Sequence, residues 1–296
     1  MNALRWTLLT LLALVTFLFL WSVAEPYFMD QREVSATLPN LPEPWEGQRV
    51  AVIADFQVGM WLGNTWTVRR IVKQLVQEPP AAVLIAGDFV YHSKEGRSEI
   101  GKAADLLEPL VEAGIPTYAV LGNHDYQMPT AKVPKDAGLA AEVSAALEAA
   151  GVEVLQNEAA PLALGDAEPL YVIGVGSHIA NEDEPAAALA QVPEDAPRLA
   201  VMHHPASFLK FPANTMPLAF AAHTHGGQFR VPFMPEWSWM TFTEEDAVHA
   251  DGWTDDFGEA GNRLYINRGI GFSVAPLRLN APPELTLITL GGGARP

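Results

Sequence analysis

The chain has 296 residues, 49% of them hydrophobic, which is enough for a sizeable core and excludes a disordered chain. Its 35 acidic against 18 basic residues give a formal charge of −17 with no Lys/Arg cluster, so a protein that tracks a nucleic-acid backbone is not expected. Without a single cysteine, neither a disulfide nor a zinc-thiolate site is available.

Trp6 to Ala24 is apolar and uncharged. About 19 residues at ~1.5 Å each make roughly 28 Å of helix, close to the ~30 Å hydrocarbon thickness of a bilayer. Trp6 and Trp21 bracket the run, where amphipathic rings favour the membrane interface. Ser22-Val23-Ala24 also has the form of a signal-peptide cleavage site. Length and flanking tryptophans favour an uncleaved single-pass anchor over residues 1–24. Arg5 before it, with Glu25 and Asp30 after it, points to an extracytoplasmic catalytic domain, although Arg32 weakens that bias. Residues 25–47, polar and bearing Pro39, Pro42 and Pro44, read as a linker. Residues 48–296 then form one domain.

Arg49–Ala54 predicts a buried strand that ends in Asp55. Trp66–Gln77 has helical spacing, with Val68, Ile71, Leu75 and Val76 on one face. Ala82–Ala86 is a second strand, closed by Gly87-Asp88. A helix over Ile100–Ala113 precedes the strand Thr117–Leu121, which runs into Gly122-Asn123-His124-Asp125. Ala137–Ala150 is helical, and short strands follow at Val152–Leu155 and Leu170–Val175. Leu199–Met202 ends in His203-His204-Pro205, and Pro217–Ala222 leads into His223-Thr224-His225-Gly226-Gly227. Helices alternate with strands early and strands dominate later, which predicts an α/β fold of stacked mixed sheets flanked by helices.

Each informative polar group lies just past an apolar strand, where open α/β sheets place their ligand sites. The series is Asp55 with Gln57, Asp88, Asn123 with His124, His203, and His223 with His225. A lone Asp or Asn after a strand usually caps a helix or makes a turn. Five strand ends that all carry metal-ligand chemistry point instead to a dinuclear site, with Asp88 as the bridging carboxylate. On an extended segment His223 and His225 point the same way, as alternating side chains must. Carboxylate, amide and imidazole donors together suit two divalent ions such as Mn, Fe or Zn.

These residues resemble the motifs of the calcineurin-like metallophosphoesterase family: Asp55-Phe56-Gln57 for Asp-x-His, Gly87-Asp88, Gly122-Asn123-His124-Asp125, His203, and His223-Thr224-His225. They occur in the family's order. Leu264–Gly271 and Pro282-Pro283-Glu284-Leu285 further resemble a membrane-associated bacterial branch acting on lipid-linked or nucleotide-sugar pyrophosphates. The resemblance implies a four-layer α/β/β/α sandwich. It also implies one ion held by Asp55, Gln57, Asp88 and His225, and a second held by Asp88, Asn123, His203 and His223. By the same resemblance the two ions would supply a bridging hydroxide as nucleophile, Asn123 and His124 would hold a phosphate oxygen, and His124 would be the general acid. His204 is expected on the opposite side of its strand.

Two departures stand out. Gln57 replaces a usual His and is a weaker donor, and Tyr91 stands where many members have an Asp that orients the catalytic His. Asp125 neighbours His124 but can face elsewhere, so the orienting group stays open. Arg230 and Arg268 are candidate substrate contacts. The aromatic stretch Phe229–Phe257 is a candidate lid or acyl-chain groove. The expected activity is a membrane-anchored phosphodiesterase or pyrophosphatase with a phosphoester substrate, either lipid-linked or nucleotide-linked. The alternatives are a phosphomonoesterase with the same site and a poorly active metal-binding interaction protein.

Overall fold

Short apolar, β-branched segments form fourteen strands among the residues described by this computed structural model: 2–92, 97–231, 234–238, 249–254 and 256–293. In chain order these are β1 (Asp30–Pro39), β2 (Arg49–Ile53), β3 (Ala82–Ile85), β4 (Thr117–Ala119), β5 (Glu153–Val154), β6 (Glu158–Leu162) and β7 (Leu170–Val175). They continue as β8 (Arg198–Met202), β9 (Ala219–Ala221), β10 (Arg230–Val231), β11 (Met234–Ser238), β12 (Gly252–Thr254), β13 (Leu264–Ile266) and β14 (Glu284–Gly293). The helices are α1 (Asn2–Ala24), α2 (Thr65–Gln77), α3 (Ser98–Asp105), α4 (Glu108–Glu112), α5 (Ala137–Ala149) and α6 (Pro185–Leu189).

Twelve of the strands build two six-stranded sheets, ordered β1-β14-β2-β3-β4-β5 and β12-β13-β9-β8-β7-β6, and β10 and β11 pair as a separate antiparallel ribbon. Both are mixed: β2 to β5 run parallel with β14 antiparallel to β2, and β7, β8, β9 and β13 run parallel between antiparallel β6 and β12. Side-chain alternation divides the apolar residues between layers. In β2, Ala51 and Ile53 pack with Val68, Ile71, Leu110 and Val143 of the helices, while Val50 and Val52 pack with Val172, Val201 and Phe220 of the other sheet. The far face of the second sheet is covered by α6 and the 3₁₀ segment Pro205–Lys210, through Ala188 and Phe208. The α/β class with two mixed sheets flanked by helices is as the sequence predicts.

Three local readings are corrected. Residues 30–39 are not linker: β1 pairs in parallel with β14 from Asp30↔Glu284 to Pro39↔Gly293. As an edge strand β1 exposes alternate side chains, so its composition is polar and mimics a linker. The helix expected over Ile100–Ala113 is broken into α3 and α4, because Pro109 lacks an N–H donor and fits only a first helical turn. Finally, β9 stops at Ala221, so the histidines beyond it do not lie on extended chain. The apolar helix α1 exposes most of its length and is long enough to cross a membrane.

Candidate metal centre

The parallel strands of both sheets deliver their C-terminal ends to one place. β2 supplies Asp55 and Gln57, β3 supplies Asp88, and β4 supplies Asn123 and His124. From the second sheet come His203 after β8, and His223 and His225 after β9. Asp55, Gln57, Asp88, His223 and His225 all have positive φ, between 50° and 71°. Non-glycine residues seldom adopt that region, and such strain collects at functional sites. His223 and His225 thus reach the same pocket from a tight turn rather than by strand alternation. Two glycines permit close approach of the chain. A Cβ on Gly122 would stand 2.1 Å from Asp88 Oδ1, and one on Gly269 would stand 2.0 Å from Asp55 Oδ2.

Hydrogen bonds fix which atom of each side chain faces inward. His203 Nδ1 lies 2.6 Å from the Ala86 carbonyl, so Nδ1 carries a proton and Nε2 is turned into the pocket. There Nε2 is 3.2 Å from Asp88 Oδ2, Asn123 Oδ1 and His223 Nδ1. The Asn123 amide donates to the Met128 carbonyl at 2.5 Å, which leaves its Oδ1 facing the cluster. Gln57 donates from Nε2 to Asp88 Oδ2 at 2.8 Å. His225 Nδ1 stands 3.9 Å from Asp55 Oδ2. The structure therefore brings Asp55, Gln57, Asp88, Asn123, His203, His223 and His225 into one cluster.

Burial pushes the Asp55 carboxyl up to about 7, and the neighbouring Asp88 charge adds to this against the opposing pull of His203. For His203 burial acts downward, but Asp88 and Asp55 outweigh it and raise the imidazole to about 9. Asp88 is held below the ordinary carboxylate range despite burial, because His203 and His124 favour its charged form. Burial and the Arg278 charge keep His225 neutral, with a lone pair to offer.

Among the described residues, both oxygens of Asp55, Gln57 Oε1 and His225 Nδ1 are buried with no hydrogen-bond partner. Orphaned polar atoms of this kind are costly unless something outside the chain completes them. The ligating atoms of Asp55, Asp88 and His203 also lie within 4.8 Å of one another. Carboxylate, amide oxygen and imidazole around one small space fit a divalent cation.

His124 sits at the rim, its backbone N–H donating to Asp88 Oδ1 at 2.9 Å. Its Nδ1 is 2.8 Å from the Tyr91 carbonyl, and the Tyr91 ring stacks on it with centroids 4.9 Å apart. The orienting acceptor is thus a main-chain carbonyl. Asp125 serves the backbone instead. Its carboxylate accepts the N–H groups of Asp88, Phe89, Val90 and Gly122 at 2.8–3.1 Å, clamping the loops after β3 and β4 together.

Other expectations change. His204 is not turned away. Its buried ring lies 4.3 Å, centroid to centroid, from His223, because strand alternation ends with β8 at Met202. Arg268 is buried and ion-paired with Glu284 at 2.7 Å and Asp30 at 2.5 Å, and Arg230 pairs with Asp251 at 2.8 Å. Within the fold both guanidiniums are thus engaged by carboxylates, Arg268 in the buried interior and Arg230 beside Asp251. In the aromatic stretch, Trp253 packs edge-on against Tyr265 and under Arg263, and Phe257 stacks on Phe208, so both are packing residues. Phe233, Trp239 and Phe242 lie outside the described residues.

Sequence reasoning passed over Arg278, a fully buried arginine whose guanidinium donates to the carbonyls of His225, Arg268, Gly269, Gly271 and Ala281. Burial lowers it to about 9, partly offset by Asp55. No motif marks it; a lone Arg within Ala275-Pro276-Leu277-Arg278-Leu279 is the only signal.

Comparison with known proteins bears on this arrangement. The profile of the family described as Calcineurin-like phosphoesterase matches residues 48–227. Phosphodiesterase YaeI of Escherichia coli (strain K12) is 32% identical over 215 residues, covering 73% of this chain and 72% of that protein. The uncharacterized metallophosphoesterase YkuE of Bacillus subtilis (strain 168) is 21% identical over 266 residues, 90% of this chain and 87% of its own. A crystal structure of a dimetal phosphatase from Danio rerio overlaps 76% of this chain and 88% of its own at a TM-score of 0.42 and 13% identity.

Proposed function

The chain belongs to the calcineurin-like phosphoesterase family and is a phosphoester hydrolase, and from that premise we propose a membrane-anchored phosphodiesterase or pyrophosphatase. The observation that carries the reading is the buried meeting of Asp55, Asp88 and His203 beside four unpartnered donor atoms. In it Asp55, Gln57, Asp88 and His225 hold one divalent ion, and Asp88, Asn123, His203 and His223 hold the other. The donor set suits Mn, Fe or Zn. When bound, the ions neutralise phosphoryl charge and lower the pKa of water.

The chain's own residues do the rest. Asn123 keeps its carbonyl oxygen inward because its amide nitrogen is tied to Met128. His124, with Nδ1 donating to Tyr91, has Nε2 left to deliver a proton to the leaving alkoxide. Gln57 donates to Asp88 and leaves its own oxygen free for the first ion. The helix α1 crosses the bilayer once and holds the domain on the extracytoplasmic side, where a lipid-linked or nucleotide-linked substrate is presented. Support for a diester comes from the relative that is named a phosphodiesterase.

The test uses the full chain in detergent, metal-stripped and then resupplied with Mn, Zn or Fe. Metal-dependent cleavage of bis-(p-nitrophenyl) phosphate faster than p-nitrophenyl phosphate is expected. A preference for the monoester would replace this reading with a phosphomonoesterase. Two bound ions without turnover of either compound would leave a binding protein.

A further inference from the structure

The end of α1 and the metal pocket are joined by one loop. The Arg278 side chain reaches inward, with Nη1 3.2 Å from the His225 carbonyl, Nη2 3.3 Å from that of Gly269, and Nε 2.8 Å from that of Gly271. Those glycines wall the pocket: Gly269 leaves no room for a side chain beside the Asp55 carboxylate, and the Gly271 N–H donates to the Asp55 carbonyl at 2.5 Å. A Cβ on Gly271 would meet Gln57 at 2.9 Å. Arg278 thus braces the chain around Asp55, Gln57 and His225, the three residues assigned to the first ion alone.

The same loop faces α1 with its backbone. The Arg278 N–H donates to the Ser22 carbonyl at 2.9 Å. Two and three residues on, the N–H groups of Asn280 and Ala281 donate to the Glu25 carboxylate at 3.0 and 2.6 Å. Glu25 is itself buried and held by the Trp21 indole N–H at 2.6 Å. A second tie runs alongside. The buried Asn64 amide donates to both the Pro26 carbonyl at 2.8 Å and the Ile270 carbonyl at 2.6 Å. Charge-assisted bonds from a carboxylate to backbone N–H groups are among the stronger anchors a loop can have.

We infer that Arg278 is a positioning residue for the first metal pocket and that Ser22 in the last turn of α1, with Glu25 just beyond it, is its outer anchor, so that metal retention depends on how the membrane helix is seated. The inference rests on the dinuclear reading above. The hydrogen bonds of the Glu25 carboxylate go to Trp21, Asn280 and Ala281, none of them assigned to an ion, which makes it the informative position.

The test is Mn²⁺ titration of the full chain in detergent, for wild type, Glu25→Ala, Glu25→Gln and Arg278→Lys. Each is paired with the visible spectrum of the Co²⁺-loaded protein and the melting temperature of the metal-free protein. Glu25→Ala is expected to weaken one of two binding steps about tenfold, the lower end of what losing a direct hydrogen-bond partner of a metal ligand costs. It should leave the other step within about twofold and alter the Co²⁺ spectrum. Glu25→Gln, which keeps one acceptor oxygen, should lie between Ala and wild type, and Arg278→Lys should weaken the same step. Unchanged isotherms and spectra in Glu25→Ala would overturn the coupling, as would equal weakening of both steps alongside a collapsed melting temperature. A wild-type chain that binds a single ion would count against the dinuclear reading. The coupling would then stand or fall on whether Glu25→Ala moves that one step.

Discussion

Asp55 and Asp183 are both buried carboxylates next to histidines, yet they sit in opposite circumstances. Asp183 accepts from Ser207 at 3.0 Å, lies 2.8 Å from His178 and Lys210, and leaves neither oxygen alone. Burial raises its pKa, but His178, Lys210 and Ser207 outweigh burial and bring it to about 2. Asp55 has no hydrogen-bond partner on either oxygen among the described residues, only His203 and His225 nitrogens at 3.9 Å, and is pushed the other way, to about 7. The protein completes the cluster around Asp183 by itself. The one around Asp55 is left incomplete on a strained backbone, as expected of a pocket that an outside cation finishes.

The contrast can be broken most sharply at Asp88, whose carboxylate meets both Gln57 at 2.8 Å and His203 at 3.2 Å. Asp88→Asn is expected to bring turnover to background and remove bound metal, measured by steady-state hydrolysis and elemental analysis; full activity would end the site assignment. Next in size is His124→Gln, which should lower kcat by about 10²–10⁴-fold, the usual worth of a general acid, with metal content unchanged. A parallel loss of metal would make His124 a ligand instead.

A third test uses protons. In the metal-free pocket His203 is raised to about 9, so the stabilisation it provides is complete below about 6.5 and is lost as pH rises through 9. Asp55, raised to about 7, acts in the same direction between about 4 and 7. The metal-stripped chain should therefore melt at a lower temperature at pH 9 than at pH 7, a window above the range in which the depressed His225 acts in the opposite direction. Loading with Mn²⁺ at pH 8 should release protons, read by calorimetry in buffers of different ionisation enthalpy. A flat melting profile without proton release would remove the distinction drawn between the two clusters.

The smallest effect is expected at the satisfied cluster. Asp183→Asn should cost about 1–3 kcal/mol at pH 7 in urea unfolding and leave kcat unchanged. Because Asp183 is depressed to about 2, its contribution is present above about 4 and fades as pH falls through 2. The variant's deficit should narrow accordingly in acid.

The arrangement of the pocket is legible in the sequence because each polar group terminates an apolar strand, so Asp55, Asp88, Asn123 and His203 are marked by an abrupt end of hydrophobicity. The paired histidines are also visible, but not their geometry, since nothing in Ala222-His223-Thr224-His225 announces left-handed backbone. Layer order follows from alternation. β1 does not, because an edge strand needs only one buried face and its polar residues read as linker. The least legible are residues whose role is hydrogen bonding to distant main chain. Tyr91 works through its carbonyl, and Arg278 through carbonyls from separate stretches of chain, so neither depends on local pattern.

The parallel pairing of β1 with β14 also sets an order in time. β14 lies between β1 and β2 in the sheet, so Asp30 has no strand beside it until residue 284 and those after it have been synthesised. Until then the nascent chain carries two unsatisfied strand edges, one on β1 and one on β2, and unpaired edges are where chains aggregate. The charged Arg32, half-buried, and Glu33, exposed, are well placed on β1 to keep the waiting edge from pairing with another chain. A ribosome that stops before residue 284 thus releases a chain with most of its pocket residues already made and the sheet beneath them still open.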